Sequence, residues 1–233
     1  MLILLTIAIS ECHAQSMRFD QEALHHRRRS AGFSLLELLA AVGILMVVAA
    51  IAVVKVQSAV QAVRLRGSGT DYANLLQNAR IRAVKDDKYY AVLTNAVANP
   101  PIAYIDINGS GTYDVGEPVM PFLPNTGPAA FAGAPAVANL KLQFLPPTPT
   151  GQASLAPGGG PPTFGSRGLP CTPVAGGGGT TCPFLTPPNF TPTSFITFIQ
   201  GSNGAWEAIT VTPASRVRLW AYDGGSGNWK PLD

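Results

Sequence analysis

Three groups of residues in this 233-residue chain have side chains and spacings suited to chemistry. The first runs from Asp106 to Glu117, DINGSGTYDVGE. Asp106, Asn108, Ser110, Thr112, Asp114 and Glu117 fall at the oxygen-ligand positions of an EF-hand calcium loop, with Gly111 at its glycine position. Calcium binds several oxygens presented by a tight turn, which makes these six residues candidate metal ligands. An EF-hand also needs flanking helices, whereas Tyr104-Ile105 and Pro118-Val119 have strand character. The alternative is a polar Asn-Gly hairpin tip.

The second group is Arg216-Val217-Arg218-Leu219-Trp220. A strand's period of two puts Arg216, Arg218 and Trp220 on one face. Two guanidinium groups beside an indole suit a phosphate backbone and a stacked base. A solvated sheet face with a cation–π contact fits the same residues.

The third is Glu37, the one charge in the apolar run from Phe33 to Val54. A carboxylate inside such a helix costs on the order of 2.5–3.5 kcal/mol on insertion scales. If the chain is cut after Gly32, Phe33 gains a free amino group, a cation able to pair with Glu37 of a neighbouring copy. The alternative is an ordinary signal anchor with a carboxylate near the interface.

Histidine catalysis is expected to be absent from the mature domain. The three histidines, His13, His25 and His26, all precede Phe33, which leaves no His-based triad or His zinc site after it. No carboxylate pair stands out by spacing, so an enzyme is not expected. From Phe33 onward the chain keeps 12 basic and 10 acidic residues, too weak a balance to imply a nucleic-acid partner by itself. Charged residues make up 12% of the chain, well below the usual ~25%.

These groups need elements to position them. Arg27, Arg28 and Arg29 precede the apolar run, whose 22 residues would cover roughly 33 Å as a helix, about the thickness of a bilayer core. The arginines favour a cytoplasmic N-terminal side, so the remainder faces outward. In that compartment Cys171 and Cys182 are expected to form a disulfide, contributing roughly 3 kcal/mol by loop entropy. Residues 1–16 read as a short secretory h-region, and Met17 offers a simpler start; both arrangements leave 1–32 as a leader absent from the mature protein.

The helix is expected to continue over 55–88, weakened at Gly67-Ser68-Gly69 and restarted by a cap at Thr70 or Asp71. Tyr72, Leu75, Leu76, Ala79, Ala83 and Val84 form its apolar stripe. Strands are expected at Tyr89–Leu93, Ile102–Ile107, Val119–Leu123, Val137–Leu145, Phe195–Gln200, Trp206–Thr212 and Arg216–Tyr222. Much of the chain's 24 Gly and 21 Pro lies in 146–193, expected to be a long loop with a short strand and turn at Thr163–Gly168. The predicted class is α+β: a long N-terminal helix, transmembrane in its first half (33–54), packed on an antiparallel sheet within a periplasmic β-rich domain, 89–233.

Gly32-Phe33-Ser34-Leu35-Leu36-Glu37-Leu38-Leu39 resembles the prepilin cleavage and methylation signature of type IV pilins and type II secretion pseudopilins. The resemblance implies that a membrane peptidase cuts between Gly32 and Phe33 and methylates Phe33. Many members carry a proline near the position of Val54, and this chain has none before Pro100. Tyr72–Arg80, Asp106–Glu117 and Ser215–Tyr222 are similar to segments of the GspH/FimT branch of minor pseudopilins. That similarity implies a single-pass inner-membrane protein that enters a pseudopilus or pilus, with prepilin peptidase and other pilins as partners and no cofactor apart from the candidate calcium. The function expected is a minor pseudopilin of type II secretion, or alternatively a minor type IV pilin engaged in pilus assembly or DNA uptake. DNA-linked members carry Gly-Arg-x-Arg near the C-terminus; here Ser215 stands in place of that glycine.

Overall fold

The computed structural model describes residues 34–144, 160–172, 174–176, 179–181 and 193–232. The leader, Gly32, Phe33, Cys182 and much of the Pro/Gly-rich insert lie outside them. Two compact units divide the chain, Met1–Val48 and Ala49–Asp233.

The described part of the first unit is Ser34 and the start of helix α1 (Leu35–Asp86). The Ser34 carbonyl accepts the N–H groups of Glu37 and Leu38 at 3.0 and 3.1 Å, closing the first turn. Glu37 lies in that turn, where the partial positive charge of a helix N-terminus favours a carboxylate. Its neighbours Leu35, Leu36, Leu38 and Leu39 are all exposed. Helix α1 is long and apolar enough to cross a membrane.

In the second unit, α1 buries Leu65, Tyr72, Leu75, Leu76, Ala79 and Ala83, the i, i+3, i+4 stripe of an amphipathic helix. Val84, expected in the stripe, is exposed. The helix passes unbroken through Gly67–Gly69, contrary to the expected weak point. Thr70 caps no restart; its hydroxyl donates to the Arg66 carbonyl at 2.9 Å, inside the continuing helix. The two glycines serve close packing instead. A Cβ at Gly67 would come within 2.8 Å of Leu123 Cδ1, and one at Gly69 would collide with the Glu207 carboxylate. Between them Ser68, fully buried, meets Thr126 Oγ1 at 2.7 Å and accepts the Leu123 N–H at 3.1 Å.

Two antiparallel sheets, rather than one, follow. The first has the order β3 (Val119–Pro121), β2 (Ile102–Asp106), β1 (Tyr90–Asn95) and β5 (Thr163–Phe164). The second has the order β11 (Asn228–Pro231), β10 (Val217–Asp223), β9 (Trp206–Val211), β8 (Phe195–Gly201) and β4 (Thr126–Ala129). A separate hairpin pairs β6 (Val174–Gly176) with β7 (Gly179–Thr181) inside the insert.

The main core joins α1 to both sheets through Val92, Ile105, Phe122, Phe164, Phe195, Ile199, Ile209 and Val211. A second cluster on the opposite face of the five-stranded sheet contains Phe198, Ala208, Trp220 and Trp229 beneath Leu140 and Phe144. The last two belong to helix α2 (Val137–Phe144), where a strand was expected. Over eight residues a period of two and a period of 3.6 overlap. Leu140 and Phe144 fit both periods, and Leu142, which only the strand would bury, is 82% exposed.

The centre of the insert is not a plain loop. β5 pairs with β1, and Thr163 and Phe164 are fully buried. The turn after them closes through Gly168 N–H to Gly165 O at 2.8 Å and Gly165 N–H to Leu169 O at 3.0 Å.

Candidate functional site

The acidic segment is a loop between strands, as its flanks implied, and joins β2 to β3. Asp106, buried at the end of β2, accepts Gly109 and Ser110 N–H on Oδ1 (2.7 and 3.1 Å) and Gly111 N–H on Oδ2 (2.9 Å). Glu117, also buried, accepts Ile107 N–H on Oε1 at 2.8 Å and Asp114 N–H on Oε2 at 3.1 Å. These two carboxylates tie the tip together through its own amides. Exposed Asp114 gathers the Asn108 amide (2.7 Å) and the Ser110 hydroxyl (2.9 Å), and these hydrogen bonds hold its carboxyl below the usual range. The Thr112 carbonyl, also 2.9 Å from Ser110 Oγ, is the alternative acceptor for that one proton. Tyr104 OH donates to Gly111 O at 3.1 Å; burial raises its pKa, and the charges of Asp106, Glu117 and Asp114 raise it further. The oxygens of Asn108, Ser110, Thr112 and Asp114 thus gather at one side of the loop. Among the described residues, however, no three carboxylate, thiol or imidazole groups are placed to hold one metal ion.

The basic strand departs from expectation at Trp220. The period of two holds, but Trp220 itself is not open. Trp220 is 2% exposed, donates from Nε1 to Thr210 Oγ1 at 2.9 Å, and packs in the cluster under α2. It offers no stacking platform to a base. Arg216 is exposed and Arg218 half-buried. β11 pairs only with Trp220–Asp223, so the earlier part of β10 faces a groove of about 330 Å³. Arg66 and Thr70 from α1 line this groove with Arg216, Val217, Arg218, Leu219 and Leu232. The sequence pattern did not connect Arg66 with the other two arginines, since 150 positions of chain separate it from Arg216.

Ser215 sits at the turn before β10 with φ +63°, in the left-handed region that favours glycine. Here the serine is fully buried, and its hydroxyl donates to the Gly168 carbonyl of the insert. Gly168 in turn lies against α1, where a Cβ would meet Val84 Cγ2 at 2.9 Å. Arg80 Nη1 completes the junction by donating to Ser215 O at 3.4 Å.

Glu207 on β9 is the residue that patterning missed. It is 4% exposed and packs toward Gly69, and its Oε2 accepts no hydrogen bond among the described residues. Desolvation pushes its carboxyl up to about 7, against a smaller opposing pull from Arg66. Cys171 is half-buried and its N–H donates to Thr163 O at 2.9 Å. Its expected partner Cys182, like Gly32 and Phe33, lies outside the described residues.

Residues 27–53 match the family described as the prokaryotic N-terminal methylation motif. No curated protein and no solved structure matches the chain. The matched span holds the three arginines, the Gly32-Phe33 junction, Glu37 and most of the apolar run. The motif indicates a type IV pilin-like prepilin, and it implies processing by prepilin peptidase and assembly with other pilins. The apolar start of α1 suits the membrane anchor that such a motif implies.

Proposed function

We propose that this chain is a minor pseudopilin of a type II secretion pseudopilus, of the GspH/FimT kind. The observation that carries the proposal is the methylation motif at 27–53, with Glu37 in the first described turn of an exposed apolar helix. The arrangement of a helix buried against antiparallel sheets supports it. In this account the anchor holds the precursor in the inner membrane, with the N-terminus cytoplasmic and the β-rich domain periplasmic. Prepilin peptidase then cuts between Gly32 and Phe33. Glu37 neutralises the new amine of an adjacent subunit, and the exposed leucines pack against neighbouring helices as the subunit leaves the bilayer. The Cys171–Cys182 disulfide staples the insert. The role is structural, with no catalytic group and no cofactor required. Glu37→Ala is expected to be cleaved normally yet to enter the fibre poorly; normal incorporation would remove the pairing role.

A second function is favoured by one observation, the presence of Arg66, Arg216 and Arg218 in the lining of one groove. Such a groove suits the phosphate backbone of DNA bound by a minor type IV pilin. A gel-shift assay with the full chain in detergent separates the two. Salt-sensitive binding, lost in Arg216→Ala/Arg218→Ala, would favour the pilin; no binding supports the pseudopilin.

A further inference from the structure

Glu207 is a buried acid at the joint between the helix and the five-stranded sheet. β9 lies between β8 and β10, with Glu207 opposite Ile199 on one side and Ala221 on the other. Its side chain projects from the face that also carries Ile209 and Val211, the face covered by α1. There it fills the space left by Gly69, next to Leu219 Cδ2, which would lie 3.2 Å from a Cβ on that glycine. The elements packed on it present few charges. From β8 the opposing residue is Ile199, and from β10 they are Leu219 and Ala221. From α1 the one charge acting on it is that of Arg66, an exposed residue at the mouth of the groove.

We propose that Glu207 is a proton-operated latch that controls how tightly the second half of α1 docks on the sheet. In the protonated form the carboxyl is a neutral, compact group suited to the glycine-lined gap. In the ionised form Oε2 would have no hydrogen-bond donor among the described residues, and burying a charge without one is strongly unfavourable. Ionisation therefore favours admitting water or drawing Arg66 inward, and both loosen the contact at Gly69. The direction follows from linkage. The docked state holds a proton that the opened state releases above the ordinary carboxyl range, so docking is strongest in acid. It weakens as pH rises toward about 7, and above that the loss is complete.

Hydrogen exchange on the full chain in detergent micelles tests this, after correction for the intrinsic pH dependence of exchange. Peptides covering 64–76 of α1 should lose about tenfold in protection between about pH 6 and about pH 8. Glu207→Gln should show equal protection at both pH values. Arg66→Gln removes the one stabilising cation and should move the wild-type midpoint upward. Equal wild-type protection at the two pH values would overturn the latch, as would a Glu207→Gln variant that keeps the same drop. A midpoint unmoved by Arg66→Gln would also count against it.

Discussion

Replacing Gly69 with alanine sets two opposing effects against each other at one atom. In an isolated helix Gly→Ala is worth about 1 kcal/mol in favour of alanine. In this helix the new Cβ would overlap the Glu207 carboxylate and press on Leu219 Cδ2 at 3.2 Å. Overpacking a filled core costs about 1–3 kcal/mol. The carboxylate has little room to retreat, because Glu207 is buried and β9 is flanked on both sides by strands. Packing should therefore win, with a net loss of up to about 2 kcal/mol and a fall in Tm of up to roughly 8 °C for a domain of this size. Gly67→Ala is the control. Its Cβ would meet only the tip of the half-buried Leu123 side chain, which can rotate, so the change should fall between neutral and a gain of about 1 kcal/mol. Thermal unfolding of the full chain in detergent, followed by circular dichroism, measures both. In Gly69→Ala/Glu207→Ala the clash is gone, and the double variant should recover most of the loss attributed to the contact. A Gly69→Ala protein that melts higher than wild type would refute the packing role of this glycine and restore a simple helix-weakening one.

Other expectations follow from the same contacts. Ser215→Ala keeps the left-handed backbone but leaves the Gly168 carbonyl without its buried donor, a loss of about 1–3 kcal/mol in chemical denaturation; an unchanged midpoint would show that the insert is not anchored there. The Asp106–Glu117 loop satisfies its two buried carboxylates with its own amides, so a chelator should leave Tm unchanged and calorimetry with calcium should give no heat. Binding heat with a raised Tm would reassign the loop to calcium.

Where apolar periodicity ran long enough, the sequence was legible. The stripe from Tyr72 to Ala83 and strands β1, β2, β8, β9 and β10 were visible because each alternates or repeats over several residues. α2 was not, because eight residues cannot separate the two periods when only Leu142 distinguishes them. β4 and β11 were hidden by their own composition: Pro128 and Pro231 argue against strands, yet both lie on strands at a sheet edge, where a missing N–H is tolerated. The processing motif was fully legible because its residues are consecutive. The arginine groove, the Ser215–Gly168 junction and Glu207 were not, because each depends on a partner far away in the chain. Glu207 in particular reads locally as an ordinary polar residue of a strand. Gly69, the residue that gives it room, read as a helix breaker.

The central claim is that the chain is a prepilin whose mature form begins at Phe33. Intact mass of the protein produced with and without an active prepilin peptidase tests it most directly. With the peptidase, the protein should have lost residues 1–32 and gained one methyl group on Phe33, and Gly32→Glu should abolish both changes. A mass unaffected by the peptidase, or a new terminus at any residue other than Phe33, would contradict the account.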